Sequence, residues 1–116
     1  MAEITRIATD KRRSRAVVYN GMVFVGGQTA DDRSQDIRGQ TVQTLAKIEK
    51  FLAEAGTDKS RLLSVNIWLS DMSTFAEMNS VWDGWAAQGS TPARATVEAK
   101  LAGPQYGVEI MATALL

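Results

Sequence analysis

Two alternating stretches joined by one break dominate the last quarter of this chain. Ala93, Ala95, Val97, Ala99 and Leu101 alternate with Arg94, Thr96, Glu98 and Lys100, the period of two by which a strand sorts its side chains. The first set is expected to be buried, with Arg94 sent to the other face. After the turn-forming Gly103-Pro104-Gln105-Tyr106-Gly107, Val108, Ile110, Ala112 and Ala114 share one face of a second strand, and Glu109, Met111 and Thr113 the other. One arginine and one carboxylate are thereby placed near the starts of two strands.

The remaining elements follow from period and punctuation. Ala16–Tyr19 and Met22–Val25 flank Asn20-Gly21, a pair that tolerates the positive backbone angles of a type I′ hairpin turn. From about Asp36 to Ala55, Thr41, Leu45, Ile48, Leu52 and Ala55 recur at spacings of three and four, an amphipathic helix that Gly56 can end. Leu63, Val65, Ile67 and Leu69 alternate with Ser64, Asn66, Trp68 and Ser70 as a third strand, stopped by Asp71-Met72-Ser73. Thr74 and Glu77 have capping-box spacing, and Phe75, Met78, Trp82 and Trp85 form the stripe of a second helix ending near Gly89. The expected order is ββαβαββ, an α+β arrangement whose helices can both lie on one face of a single sheet. Neither a linker nor a repeat divides the chain, so residues 1–116 read as one domain.

The sequence contains no cysteine and no histidine. That removes the Ser-His-Asp triad, the Cys-His nucleophile, disulfides, thiol redox chemistry and zinc sites of the usual ligands. Any general acid or base is then a carboxylate, a lysine, a tyrosine or a held water, and Glu109 leads. With a formal net charge of zero, nothing favours a nucleic acid partner, which also counts against a ribonuclease. The start, Met-Ala-Glu-Ile-Thr-Arg, lacks a signal peptide's apolar core, and no apolar run nears the roughly 18 residues of a membrane span, so a cytoplasmic protein without a membrane partner is expected.

Arg94 offers a planar fork of donors that matches a carboxylate at two points, a natural anchor for a small organic acid. Read from the pattern alone, its simpler reading is an ordinary solvated strand arginine. Glu109 has the same two readings, though it stands beside a glycine turn, where site residues concentrate. Gly26-Gly27-Gln28 lacks the features of a phosphate loop and better suits a close backbone approach to a ligand. Trp82 and Trp85 read as core, while Trp68, on the face opposite Val65 and Ile67, could meet a partner subunit.

The run from Pro92-Ala93-Arg94 through the alternating strand to Val108-Glu109-Ile110 resembles the signature of the reactive intermediate deaminase family, also called Rid or YjgF. The resemblance extends over Val23–Gln28, Gln40–Gly56, and Asp71-Met72, Phe75-Ala76, Met78-Asn79 and Trp82. It implies a chorismate-mutase-like fold, a mixed sheet with its last strand inserted between earlier ones and three subunits closing a barrel-like homotrimer. It further implies hydrolysis of 2-imino acids and their enamine tautomers, released by pyridoxal-phosphate enzymes, to 2-keto acids and ammonium, with no metal or organic cofactor. By the same resemblance Arg94 would grip the substrate carboxylate, helped by backbone N–H groups near Gly27 and at Ala95 to Thr96, and Glu109 would hold the attacking water. A non-catalytic small-carboxylate binder or regulator is the alternative, for which Arg94 would suffice. Asn79 matches a family asparagine, but a side chain bonded to neighbouring backbone is its simpler reading.

Two departures stand out. Thr96 replaces a cysteine common in the family, and Asp10-Lys11-Arg12-Arg13-Ser14-Arg15 stands where many members carry a Gly-Pro-Tyr whose tyrosine walls the site. That charged run reads first as a solvated edge. Its other reading is that Arg13 or Ser14 takes the tyrosine's place and selects a different, more acidic substrate. In the family's sheet the Arg94 and Glu109 strands run antiparallel with one between them. Seven steps of about 3.3 Å from Arg94 to Leu101 would set their starts roughly 23 Å apart, which implies a site split between subunits.

Overall fold

Helix α1 runs from Ile37 to Ala55, its start fixed by Asp36, whose carboxylate accepts the Gly39 N–H at 2.9 Å. It ends at Gly56, where a φ of 97° lets the backbone turn back on Leu52 and Ala53. Leu45, Ile48 and Leu52 are fully buried beneath it, each contributing about 1.5–3 kcal/mol by leaving water. In the computed structural model, which describes residues 3–116, the first two residues of the expected 1–116 unit lie outside the description.

Among the described residues six strands form one mixed sheet in the order β1-β2-β3-β6-β4-β5, with β1 at Thr5–Thr9, β2 at Ser14–Tyr19 and β3 at Met22–Gln28. Strands β4, β5 and β6 are Leu62–Leu69, Ala93–Glu98 and Val108–Leu115. The last strand inserts between β3 and β4, antiparallel to both, while β4 and β5 are parallel. The expected α+β order stands with one strand added at the front. Strand β1 leaves little trace in the sequence because only Ile7 of its five residues turns inward. The Asn20-Gly21 turn has positive φ at both residues, as its type requires.

Three local expectations are corrected. Strand β5 stops at Glu98, and its half-buried side chains are Arg94 and Thr96, whereas Ala93, Ala95 and Val97 face outward. The parallel register explains the reversal: Arg94 and Thr96 lie beside Val65 and Ile67, both on the core face. In β4 a register shift after Leu62 buries that residue and leaves Leu63 exposed. Helix α2, Phe75–Trp85, begins at Thr74 without a side-chain cap, so the expected capping box does not form. Instead Thr74 donates to Asp71 O, and Asp71 accepts the Ser73 N–H. Its apolar stripe is otherwise as expected, with Met78 and Trp82 buried and Phe75 38% exposed at its start.

Candidate active site

Glu109 stands second in β6, opposite Trp68 of β4 and between the buried Val108 and Ile110, so its side chain leaves the core and enters the sheet's open face. Beside it the β3–β6 ladder breaks between Val25 and Gln28. This irregularity brings Gly27 so close that a Cβ there would lie 2.1 Å from Glu109 Oε2. Only a glycine leaves that carboxylate its place. No ion pair or hydrogen bond engages the Glu109 side chain among the described residues, and with Trp68, Lys100 and Leu101 it lines a shallow cleft of about 250 Å³.

The turn between β1 and β2 reaches the same place. Asp10 pairs with the Arg15 guanidinium and accepts the backbone N–H groups of Arg12 and Arg13 at 2.7 and 3.0 Å, which together pull its carboxyl down to about 2. So pinned, Arg13 donates from Nη1 to Gly27 O at 2.7 Å. Ser14 does not join it, since its hydroxyl is bonded to Thr9 Oγ1 at 2.8 Å. The charged run is exposed from Asp10 to Arg13, as a solvated edge would be, and is ordered by these bonds. An aspartate followed by polar residues is an Asx-turn signal, and reading it would have placed Asp10 as the organiser.

A buried amide holds the loop that leads into β6. Gln40 of α1 accepts the Gly107 N–H at 2.8 Å, and its Nε2 shares two hydrogens among the carbonyls of Gln105, Gln35 and Arg33 at 3.0, 3.0 and 3.3 Å. It thereby fixes the approach to Glu109 from the other side of the sheet.

Arg94 lies on the helix-covered face. Its Nη1 donates to Asn79 Oδ1 at 2.8 Å, and its guanidinium carbon sits 5.0 Å from the centre of the Trp82 ring and 6.0 Å from that of Phe75. Asn79 thus serves a side chain, not neighbouring backbone. Trp82 is core, as expected, and also a cation–π platform. Two residues on, Thr96 Oγ1 is buried without a hydrogen-bond partner among the described residues. Because β5 ends the sheet, its outer row of backbone groups, that of Thr96 included, faces no further strand, whereas Ala95, expected to help bind a ligand, shares the parity of Ala99, whose N–H donates to Leu69 O, and turns its backbone toward β4.

The register measures how far apart the two charged groups are. Arg94 is opposite Val65, and Val65 is opposite Ala112, three residues from Glu109. Two strand spacings of about 4.8 Å and three steps of about 3.3 Å leave the Cα atoms roughly 14 Å apart, not the 23 Å expected from strand starts. The faces matter more. Arg94 bonds to α2 while Glu109 opens on the uncovered side, so the sheet stands between them and no small molecule touches both within one chain. A larger depression of about 750 Å³, lined by Ser70, Glu98, Gly103 and Pro104 together with Ala99–Ala102, includes neither residue.

Residues 3–116 match the family described as Endoribonuclease L-PSP. A RutC family protein of Haemophilus ducreyi is 44% identical over 113 residues, 97% of each chain. The chain belongs to the YjgF/Rid family. A solved member of the YjgF protein family from Neisseria meningitidis superposes with a TM-score of 0.95 at 46% identity, covering 97% of this chain and 94% of its own. A putative translation initiation inhibitor from Salmonella typhimurium gives 0.89 at 40% identity, with 97% of each chain covered. These similarities to YjgF/Rid proteins span the whole mixed sheet, including the inserted β6 that carries Glu109.

Proposed function

We propose that this YjgF/Rid protein is a hydrolytic deaminase of small 2-imino acids, acting in the cytoplasm as a homotrimer that completes each site from two subunits. The observation that carries the reading is the placement of Arg94 and Glu109 on opposite faces of one sheet. A carboxylate grip and a water-holding carboxylate separated in this way become useful when a neighbouring copy brings its other half alongside, and a closed ring repeats that contact in every interface.

In such an interface Arg94, oriented by Asn79, binds the substrate carboxylate through paired charge-assisted hydrogen bonds. Backbone N–H groups at the sheet edge at Thr96, and near Gly27 of the adjoining subunit, complete the cradle. The imine carbon is then fixed beside Glu109. Glu109 takes a proton from a water as its oxygen attacks the protonated imine carbon, forming a carbinolamine. Glu109 passes that proton to nitrogen and takes the hydroxyl proton as the C–N bond breaks, so that a 2-keto acid remains and the departing ammonia, on receiving the proton from Glu109, leaves as ammonium. A reactive product of pyridoxal-phosphate enzymes would be cleared by this step.

The test is keto-acid appearance from imines freshly generated from a panel of amino acids, followed with wild type, Arg94→Ala and Glu109→Gln. Acceleration by wild type and loss in both variants is expected. If wild type gives no acceleration, or Glu109→Gln matches it, the deaminase reading fails, and ligand binding alone would then leave a small-carboxylate binder. Mixing Arg94→Ala with Glu109→Ala chains after reversible dissociation tests the shared site: about a quarter of the sites in equal mixtures regain both groups. Verified mixed trimers without activity would overturn it.

A further inference from the structure

We infer that Arg13 selects imino acids carrying a second anionic group, an inference that rests on the proposed deaminase reading. Arg13 is exposed, yet its turn is tied at three points to Asp10, through the backbone N–H groups of Arg12 and Arg13 and the Arg15 guanidinium. One Nη1 donor is committed to Gly27 O at 2.7 Å, and the rest of the fork is engaged with nothing among the described residues. Gly27 in turn abuts Glu109, so one glycine joins the Arg13 guanidinium to the carboxylate that would hold the water.

The local charge favours an anion. Lys100 lines the cleft that holds Glu109, and Arg13 is joined to that cleft's edge through Gly27, so this neighbourhood holds two cations to one carboxylate. Arg94 is not one of the two, being on the opposite face with Asn79. An imine whose first carboxylate is gripped by Arg94 of one subunit would extend its side chain toward the Gly27 and Glu109 half of the other. There a neutral side chain leaves the spare Arg13 donors facing water. A side chain ending in a carboxylate meets a pre-positioned fork that donates to it at two points.

The experiment compares kcat/KM for the imines of aspartate or glutamate with those of alanine or leucine. Wild type is expected to favour the dicarboxylic imines, and Arg13→Ala to lower the ratio of dicarboxylic to monocarboxylic efficiency by about ten- to a hundredfold, the range for one lost charge-assisted contact. Arg13→Gln retains a donor for Gly27 O without the charge, and the ratio should fall with it as well. A purely structural Arg13 would lower all substrates together or be rescued by glutamine, and either outcome overturns the inference. Binding of 2-oxoglutarate and pyruvate, measured by calorimetry, separates this failure from that of the deaminase reading. Tighter 2-oxoglutarate binding that Arg13→Ala abolishes upholds Arg13 even if no imine is hydrolysed, and equal binding of both acids overturns it.

Discussion

Gly27 and Glu109 occupy one space: a methyl group on the first would stand 2.1 Å from Oε2 of the second. The conflicting atom ends a flexible side chain, so Gly27→Ala is expected to fold with little loss of stability and to push the carboxylate out of place. Activity should then fall nearly as far as in Glu109→Gln. A thermal melt beside a deaminase assay checks this, and an active Gly27→Ala protein would show that the position of Glu109 is not critical.

Arg94→Lys should fail almost as badly as Arg94→Ala. An ammonium keeps the charge but loses the planar fork that reaches both Asn79 and a carboxylate. Loss of one charge-assisted pair, about 1.5–3 kcal/mol, lowers efficiency by about ten- to over a hundredfold. Asn79→Ala, which frees the guanidinium without removing it, should raise KM more than it lowers kcat. Near-wild-type kinetics in Arg94→Lys would remove the anchoring role.

Gln40→Ala strands three carbonyls and the Gly107 N–H in a partly buried place. A destabilisation of about 2–4 kcal/mol is expected. Because an oligomer's melting point depends on concentration, the comparison belongs at matched protein concentration. An unchanged melt would mean that water replaces the amide.

The turn that carries Arg13 should loosen in acid. Hydrogen bonding by Arg15 and the two backbone N–H groups holds the Asp10 carboxyl at about 2, below its ordinary 3.8. A group depressed in this way contributes fully above the ordinary value and loses its contribution as pH falls from there through about 2. Carboxyl NMR should place the Asp10 midpoint near 2, and Arg15→Ala should move it upward. A midpoint near 3.8 in wild type would mean that the turn is not organised by Asp10.

What could be read from the sequence was what repeats with a period. Helix α1, its Asp36 and Gly56 ends, the Asn20-Gly21 hairpin and the alternation of β6 are local patterns, and all are found where expected. The errors arose where a neighbour overrules the pattern. Alternation in β5 marks two faces without saying which is buried, and its register with β4 turned Arg94 inward against the apparent preference of alanine for the core. Gly27, Glu109, Arg94 and Thr96 were legible through the family's signature. The roles of Gln40 and of the Asn79 carboxamide were not, since each acts across a gap in sequence that no periodicity spans, whereas the Asx turn of Asp10 is a local signal three residues long.

The sheet that divides Arg94 from Glu109 also sets how damage would spread through an assembly. In a closed ring each chain lends its arginine to one site and its glutamate to another, so a subunit lacking both silences two centres while occupying one place. A defective allele of such a protein would poison its normal partners, and an intact chain would be worth less than its share of the population.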